Sequence, residues 1–261
     1  MAERPSILTE QDQITLDSIR NSLYNHYLPA GPEPDGLPFH NIDHALEVEA
    51  TATEYCRYVQ DNGKRIDEFC VRVASLLHDS GYHLTLASMQ RQFPDANIEH
   101  REHYAQLTSM RLLESYGVDS ARIRKVGRLI LNTHKDAKPT SLEEKIVARS
   151  DVDNIAGPTR PFISNALNLI REAEILNGPQ NPLERLCASE QILREIISKD
   201  LCFGDFDRAF YEQWFNQPAI ANITRLGKLS VQSTLNGLID LVNFNSDSTD
   251  SDISRDEDDE S

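Results

Sequence analysis

The sequence predicts an all-α fold, a helical bundle with additional C-terminal helices. Three observations carry this. Apolar residues recur at helical spacing along most of the chain, strand-like alternation is scarce, and capping residues, prolines and glycines cut the chain into pieces of helix length. With 261 residues and 39% hydrophobic content, the chain can fill the core of one large domain or of one domain with an extension.

In chain order, Thr9 reads as a helix N-cap with Asp12 three residues on. Ile14, Leu16, Ile19, Leu23 and Tyr27 then follow a helical period. Residues 28–38 hold four prolines and two glycines and are expected to be a loop. Asn41 or Asp43 caps a helix through about residue 61, and residues 66–77 form the next helix. Residues 80–97 read as irregular or partly helical, with Pro94 as a breaker. Residues 98–116 read as a helix closed by Gly117. Asp119 or Ser120 opens a helix over 121–133, and 135–140 is a loop. Ser141 and Glu144 form a capping box for the helix that carries Asp151. Further helices are expected over 162–177, 182–198, 206–215 and 218–242. Residues 245–261 are rich in Ser, Asp and Glu and are expected to be disordered. The expected organisation is thus 1–38 (helix and Pro/Gly-rich loop), 39–162 (core), 163–244 (C-terminal helices packed on it) and 245–261 (acidic tail).

The net charge is −16, and from Asp247 onward eight acids and one Arg supply −7 of it, leaving −9. General nucleic-acid binding needs basic patches, so this balance argues against it. A small anionic substrate stays compatible, because a metal ion supplies local positive charge. The acidic tail reads as a solvated extension, or alternatively as a contact for a basic protein partner. No apolar run of membrane-spanning length is present, and residues 1–5 lack a secretory pattern. Cys56, Cys70, Cys187 and Cys202 show no Cys-x-x-Cys spacing. They read as free thiols in a reducing compartment, so the expected location is cytoplasmic.

His78-Asp79 carries the most chemistry, because it ends the apolar run Val73-Ala74-Ser75-Leu76-Leu77. A buried His-Asp pair is tolerated only when both side chains are satisfied, which a divalent cation does well. Two further segments offer the same ligand types, Phe39-His40-Asn41-Ile42-Asp43-His44-Ala45 and Lys145-Ile146-Val147-Ala148-Arg149-Ser150-Asp151-Val152-Asp153. His44 has Ala45 and Val48 beside it on an inward face. Asp151 and Asp153 are about 200° apart on a helix, so only one can face the same ion. Asp151 shares a face with Val147 and Ile155. His and Asp suit Mn, Mg, Fe, Zn or Ni. Two of each leave coordination positions for water and substrate, and such an ion polarises a phosphoryl oxygen and brings the pKa of bound water to about 7.

The order His, His-Asp, Asp resembles the HD superfamily of metal-dependent phosphohydrolases, over about residues 37–162. The first segment is also similar to the His-Asn-x-x-His signature of cyclic-nucleotide phosphodiesterases and of many HD hydrolases. Gly81-Tyr82 after the pair looks more like the general HD group. The resemblance implies an HD/phosphodiesterase-like helical bundle with His44, His78, Asp79 and Asp151 as metal ligands. Asp151 is preferred to Asp153 because the family places its Asp between a small and an apolar residue, as in Ser150-Asp151-Val152. The implied activity is hydrolysis of a phosphomonoester or phosphodiester, a nucleotide among the candidates, by metal-activated water.

In the phosphodiesterase-like reading His40 protonates the leaving oxygen. Some HD proteins add two histidines between the His-Asp pair and the last Asp. Here His100, His103 and His134 are available, and His103 with His134 is the expected second metal pair. All three also read as ordinary surface residues, with His100 and His103 three apart on one helix face. Many family members carry His-Glu where this chain has Arg101-Glu102. Glu102 is then expected to orient water, and Arg101 to clamp a phosphate. Tyr82 and His83 read as loop packing or pocket lining, and Lys135 and Lys138 as a solvated loop or contacts to an anion. Phe203, Phe206, Phe210, Tyr211, Trp214 and Phe215 read as core of the C-terminal helices. Two rival functions remain. One is a non-catalytic HD domain that binds a nucleotide or protein. The other is a di-iron oxygenase, which needs His134 and either His100 or His103.

Overall fold

The computed structural model describes residues 8–27, 36–179 and 181–232. Among these residues every regular element is helical. They run α1 Glu10–Ser22, α2 Tyr24–Tyr27, α3 Ile42–Asp61, α4 Glu68–Leu77, α5 Leu86–Gln92, α6 Arg101–Ser115, α7 Ser120–Leu131 and α8 Leu142–Asp151. A 3-10 turn, Asp153–Ala156, leads to α9 Thr159–Asn177, α10 Pro182–Ile197, α11 Arg208–Tyr211 and α12 Gln217–Gln232. A π-turn at Glu212–Asn216 joins α11 to α12. Most of the expected loop 28–38, the expected helical residues 233–242 and the acidic tail lie outside the described residues.

Local chemistry sets the helix ends. Thr9 with Asp12 and Ser141 with Glu144 form capping boxes at α1 and α8. Asn41, not Asp43, caps α3, its Oδ1 accepting from the His44 N–H at 3.0 Å. The start of α6 differs from expectation. Residues 98–100 are not helical, and His100 is the N-cap in extended backbone (φ −148°). Its ring Nδ1 accepts from the His103 N–H at 3.3 Å. His100 and His103 therefore do not share a helix face.

The centre of the fold is α4, which is apolar on nearly all sides and packs against α1, α3, α7 and α8. Around it Leu16, Ala52, Cys56, Phe69, Val73, Leu76, Leu113, Val126 and Ile146 form the main core. A second core of Phe162, Ala166, Ile170, Leu186, Ile223 and Leu226 joins α9, α10 and α12. Cys56, Cys70 and Cys202 are buried and Cys187 is exposed, all as free thiols. No helix among the described residues is long and apolar enough to cross a membrane.

The end of α4 is held from α2. Tyr27 Oη donates to the Leu76 carbonyl at 2.8 Å, and the Gly81 N–H donates to the His26 carbonyl at 2.9 Å. Gly81 turns the chain at φ +79°, and a Cβ there would lie 2.3 Å from Tyr104 Cε1. Only glycine fits this turn, which directly follows the His-Asp pair.

The C-terminal aromatic group is only partly core. Tyr211 and Phe215 are buried, but Phe210 is 41% and Trp214 61% exposed. Residues 211 and 215 are four apart on the inner face, and 210 and 214 on the outer one. The inner rings, with Tyr55 and Phe203, surround the Arg149 guanidinium at 4.5–5.2 Å. Arg149 and Asp207 are both 0% exposed, and Arg149 Nη1 donates to Asp207 Oδ2 at 2.9 Å. No local sequence pattern marks this buried ion pair, whose partners lie 58 residues apart.

Candidate metal centre

Three helix ends converge. The C-terminus of α4 presents His78 and Asp79, the first turn of α3 presents His44, and the last residue of α8 is Asp151. One ligand atom from each lies within 4.8 Å of all the others. His78 Nε2 is 2.9 Å from Asp79 Oδ2 and 3.1 Å from Asp151 Oδ1. His44 Nε2 is 3.3 Å from Asp151 Oδ1 and 3.6 Å from Asp79 Oδ2. His78 Nδ1 lies 2.8 Å from the Ser75 carbonyl oxygen. A carbonyl only accepts, so Nδ1 carries a proton and Nε2 of the neutral ring offers its lone pair to the cluster.

The donor set fits a divalent cation. His44, His78 and Asp79 are buried. His44 Nε2 and Asp79 Oδ2 are buried without an aligned hydrogen-bond partner. A buried polar atom left so costs about 1–3 kcal/mol, and one cation among the four side chains would satisfy both. Burial alone pushes the His78 imidazole down, but the Asp79 and Asp151 carboxylates outweigh it and hold His78 well above its ordinary value. Burial likewise favours neutral Asp79 and Asp151, yet the facing histidines keep both carboxyls below the usual range. The cluster therefore binds positive charge strongly, and a cation competes with the His78 proton for it.

Asp153 is outside the cluster. It begins the 3-10 turn and accepts a short hydrogen bond from Tyr55 Oη, and burial pushes its carboxyl up.

His40 lies just before α3, so it does not share a helical turn with His44. Its Nε2 is 3.9 Å from Asp79 Oδ2, and its ring stacks on Tyr82 at 3.6 Å. Its Nδ1 makes a short hydrogen bond to Glu172 Oε1. Glu172 Oε2 also accepts from the backbone N–H of His40 at 2.9 Å and of Phe39 at 3.3 Å. Burial pushes the His40 imidazole down, but Asp79 and Glu172 more than offset it, so the ring holds its proton above the ordinary range. Glu172 carries no signal of this role in the sequence. It lies off the Phe162–Ala166–Ile170 stripe of α9, so helical period reads it as exposed; it is 3% exposed.

A second cluster brings His100, Glu102 and His134 within 4.8 Å of one another. His134 is in it as expected, but His103 is not. His100 takes its place because the N-cap position turns its ring back over the helix start, where it lies 4.4 Å from the His134 ring. Arg101 is committed elsewhere, its Nη1 donating to the Tyr82 carbonyl and, at 3.0 Å, to that of Leu84.

Both clusters open on one cavity of about 650 Å³. Asp79, Asp151 and His40 line one part of it, and His100, Glu102 and His134 another. Tyr82 and Lys135 are on its wall, while His83 and Lys138 are not. Lys135 pairs with Asp136 at 2.9 Å. The volume is that of a small-molecule site.

The HD domain family model matches residues 41–153. No curated protein and no solved structure is significantly similar to the chain. The matched span holds all four converging residues, and it ends before α9 and Glu172. Residues 41–153 thus carry an HD domain.

Proposed function

We propose that this protein is a metal-dependent phosphohydrolase acting on a small phosphomonoester or phosphodiester. The observation that supports it most is the cluster of His44, His78, Asp79 and Asp151, with two buried unsatisfied ligand atoms, which reaches a ligand-sized cavity through Asp79 and Asp151. A divalent cation held there supplies Lewis acidity toward a phosphoryl oxygen and acidifies water. The chain does the rest. His40 presents Nε2 toward the cluster and donates a proton to the leaving oxygen. Glu172 holds Nδ1 on the far side of that ring and fixes its orientation. Glu102, on the same cavity wall, orients water. The free thiols fit a cytoplasmic location.

The test is elemental analysis of purified protein together with a screen of phosphomonoesters and phosphodiesters with Mn, Mg, Fe, Zn and Ni. His78→Ala and Asp79→Ala are expected to lose both the ion and turnover. Turnover retained by a metal-free variant sinks the proposal. The His100–Glu102–His134 cluster favours a two-ion version of the same site. In that case the wild type holds two ions per chain and His134→Ala holds one.

A further inference from the structure

The cavity has a second face that phosphoryl chemistry does not use. Besides Glu172, α9 and α10 contribute Leu169, Ile170, Leu176, Ile192, Leu193 and Ile196 to its wall. Of the lining residues, Leu86 of α5 is 45% exposed and Ile192 of α10 is 42% exposed. Large aliphatic side chains thus line the same cavity as Asp79 and Asp151, and two of them reach solvent.

The charge on the wall decides what kind of molecule fits. Five carboxylates (Asp79, Glu99, Glu102, Asp151 and Glu172) face three Lys and Arg residues. One divalent cation brings the sum of these groups to about zero, so the wall's own Lys and Arg supply no positive surplus for a polyphosphate. The wall's cations are also engaged. Arg101 is bonded to backbone carbonyls, Lys135 to Asp136, and Arg185 is partnered too. The wall's phenyl and phenol rings are no better placed to stack a nucleobase. Tyr82 has His40 on it at 3.6 Å and the Arg101 guanidinium at 4.4 Å. Phe39 packs on His40 and His44, and Phe162 is 3% exposed within the second core.

We infer that the substrate is an amphiphilic phosphate ester, with one phosphoryl head at the metal cluster and an aliphatic body along the α9–α10 wall. This rests on the phosphohydrolase reading. The body contacts elements beyond the HD-domain match, so the aliphatic residues of α9 and α10 set specificity while His40 and the metal cluster do the chemistry.

The test uses Mn-loaded full-length protein with ethyl, butyl, hexyl and octyl phosphate, beside AMP and ATP. Burying a methylene is worth about fourfold in affinity, so each two-carbon step is expected to raise kcat/KM about 15-fold until the cavity is filled. Leu169→Asn and Ile192→Asn are both outside the main core and are expected to flatten this slope. The same series of non-hydrolysable alkylphosphonates, read as a melting-temperature shift, measures binding without turnover. Phosphonate binding that rises with chain length without hydrolysis of any ester keeps the aliphatic wall and removes the hydrolase reading. Turnover without chain-length dependence, or with AMP or ATP preferred to octyl phosphate, overturns the inference and keeps the hydrolase. Neither binding nor turnover overturns both.

Discussion

Glu172→Ala tests whether the C-terminal helices complete the site. The carboxylate is buried and accepts from three donors, the His40 ring, the His40 N–H at 2.9 Å and the Phe39 N–H at 3.3 Å. Hydrogen bonds to a charged group contribute about 1.5–3 kcal/mol each. The longer Phe39 contact counts least, and removing the carboxylate also removes its desolvation cost. A net loss of about 2–4 kcal/mol in a urea titration is expected. For activity, a positioned general acid contributes about 10²–10⁴ in rate. His40 would remain but lose its orientation and part of its proton affinity, so kcat/KM is expected to fall about 10–100-fold.

The decisive assay is a double-mutant cycle with His40→Ala. If Glu172 acts only through His40, the double variant equals His40→Ala within about twofold. The metal content of all three variants stays at the wild-type value, because none of the four converging residues is changed. Glu172→Gln keeps an acceptor for the backbone N–H groups, so it is expected to recover much of the stability and little of the activity. Single-variant losses that multiply in the double variant would refute a shared role. So would metal loss in step with activity in Glu172→Ala.

Three further outcomes follow from the fold. Gly81→Ala forces an L-residue to φ +79° with its Cβ 2.3 Å from Tyr104 Cε1, which is expected to cost about 2–4 kcal/mol; a urea midpoint close to wild type would show that the turn is not so constrained. Arg149→Met leaves the fully buried Asp207 carboxylate without its cation and is expected to cost about 3–5 kcal/mol. Adding Asp207→Asn should return at least half of that, and a double variant less stable than the single contradicts the assignment. For Asp12, burial raises the carboxyl, but the Thr9 N–H and the Arg122 guanidinium outweigh it and hold it below the usual value. A depressed folded value means the contribution is full above the unfolded pKa of about 3.9 and is lost as pH falls through the folded one. Asp12→Asn is therefore expected to cost about 1–2 kcal/mol at pH 7, a gap that narrows below about pH 4. An equal gap at pH 7 and pH 3 rules this out.

Much of the molecule was legible before any coordinate. Thr9, Ser141 and Asp119 mark helix starts because a cap acts on backbone groups two or three residues away. The apolar period of α4 announces a buried helix, and His78-Asp79 at its end announces a polar demand that something must meet. His44 and Asp151 are singled out on α3 and α8 by the resemblance of the His, His-Asp, Asp order to the HD superfamily. The cap and period signals act within a turn or two of chain.

What lay beyond that range was decided by packing. Asp151 and Asp153 are equivalent by composition; the stop of α8 at residue 151 separates them and sends Asp153 to Tyr55. His100 displaces His103 because the cap, not the helix face, points at His134. Phe210 and Trp214 share an aromatic run with Tyr211 and Phe215, and only the direction in which α11 faces Arg149 tells core from surface. Glu172 is the clearest case, since its helix gives it no reason to be buried until His40, 132 residues earlier, is brought against it. Helix periods and caps are short-range and are written in the chain. The meeting of His40 with Glu172, and of four ligand atoms at one point, depends on how whole helices pack, and no local pattern encodes it.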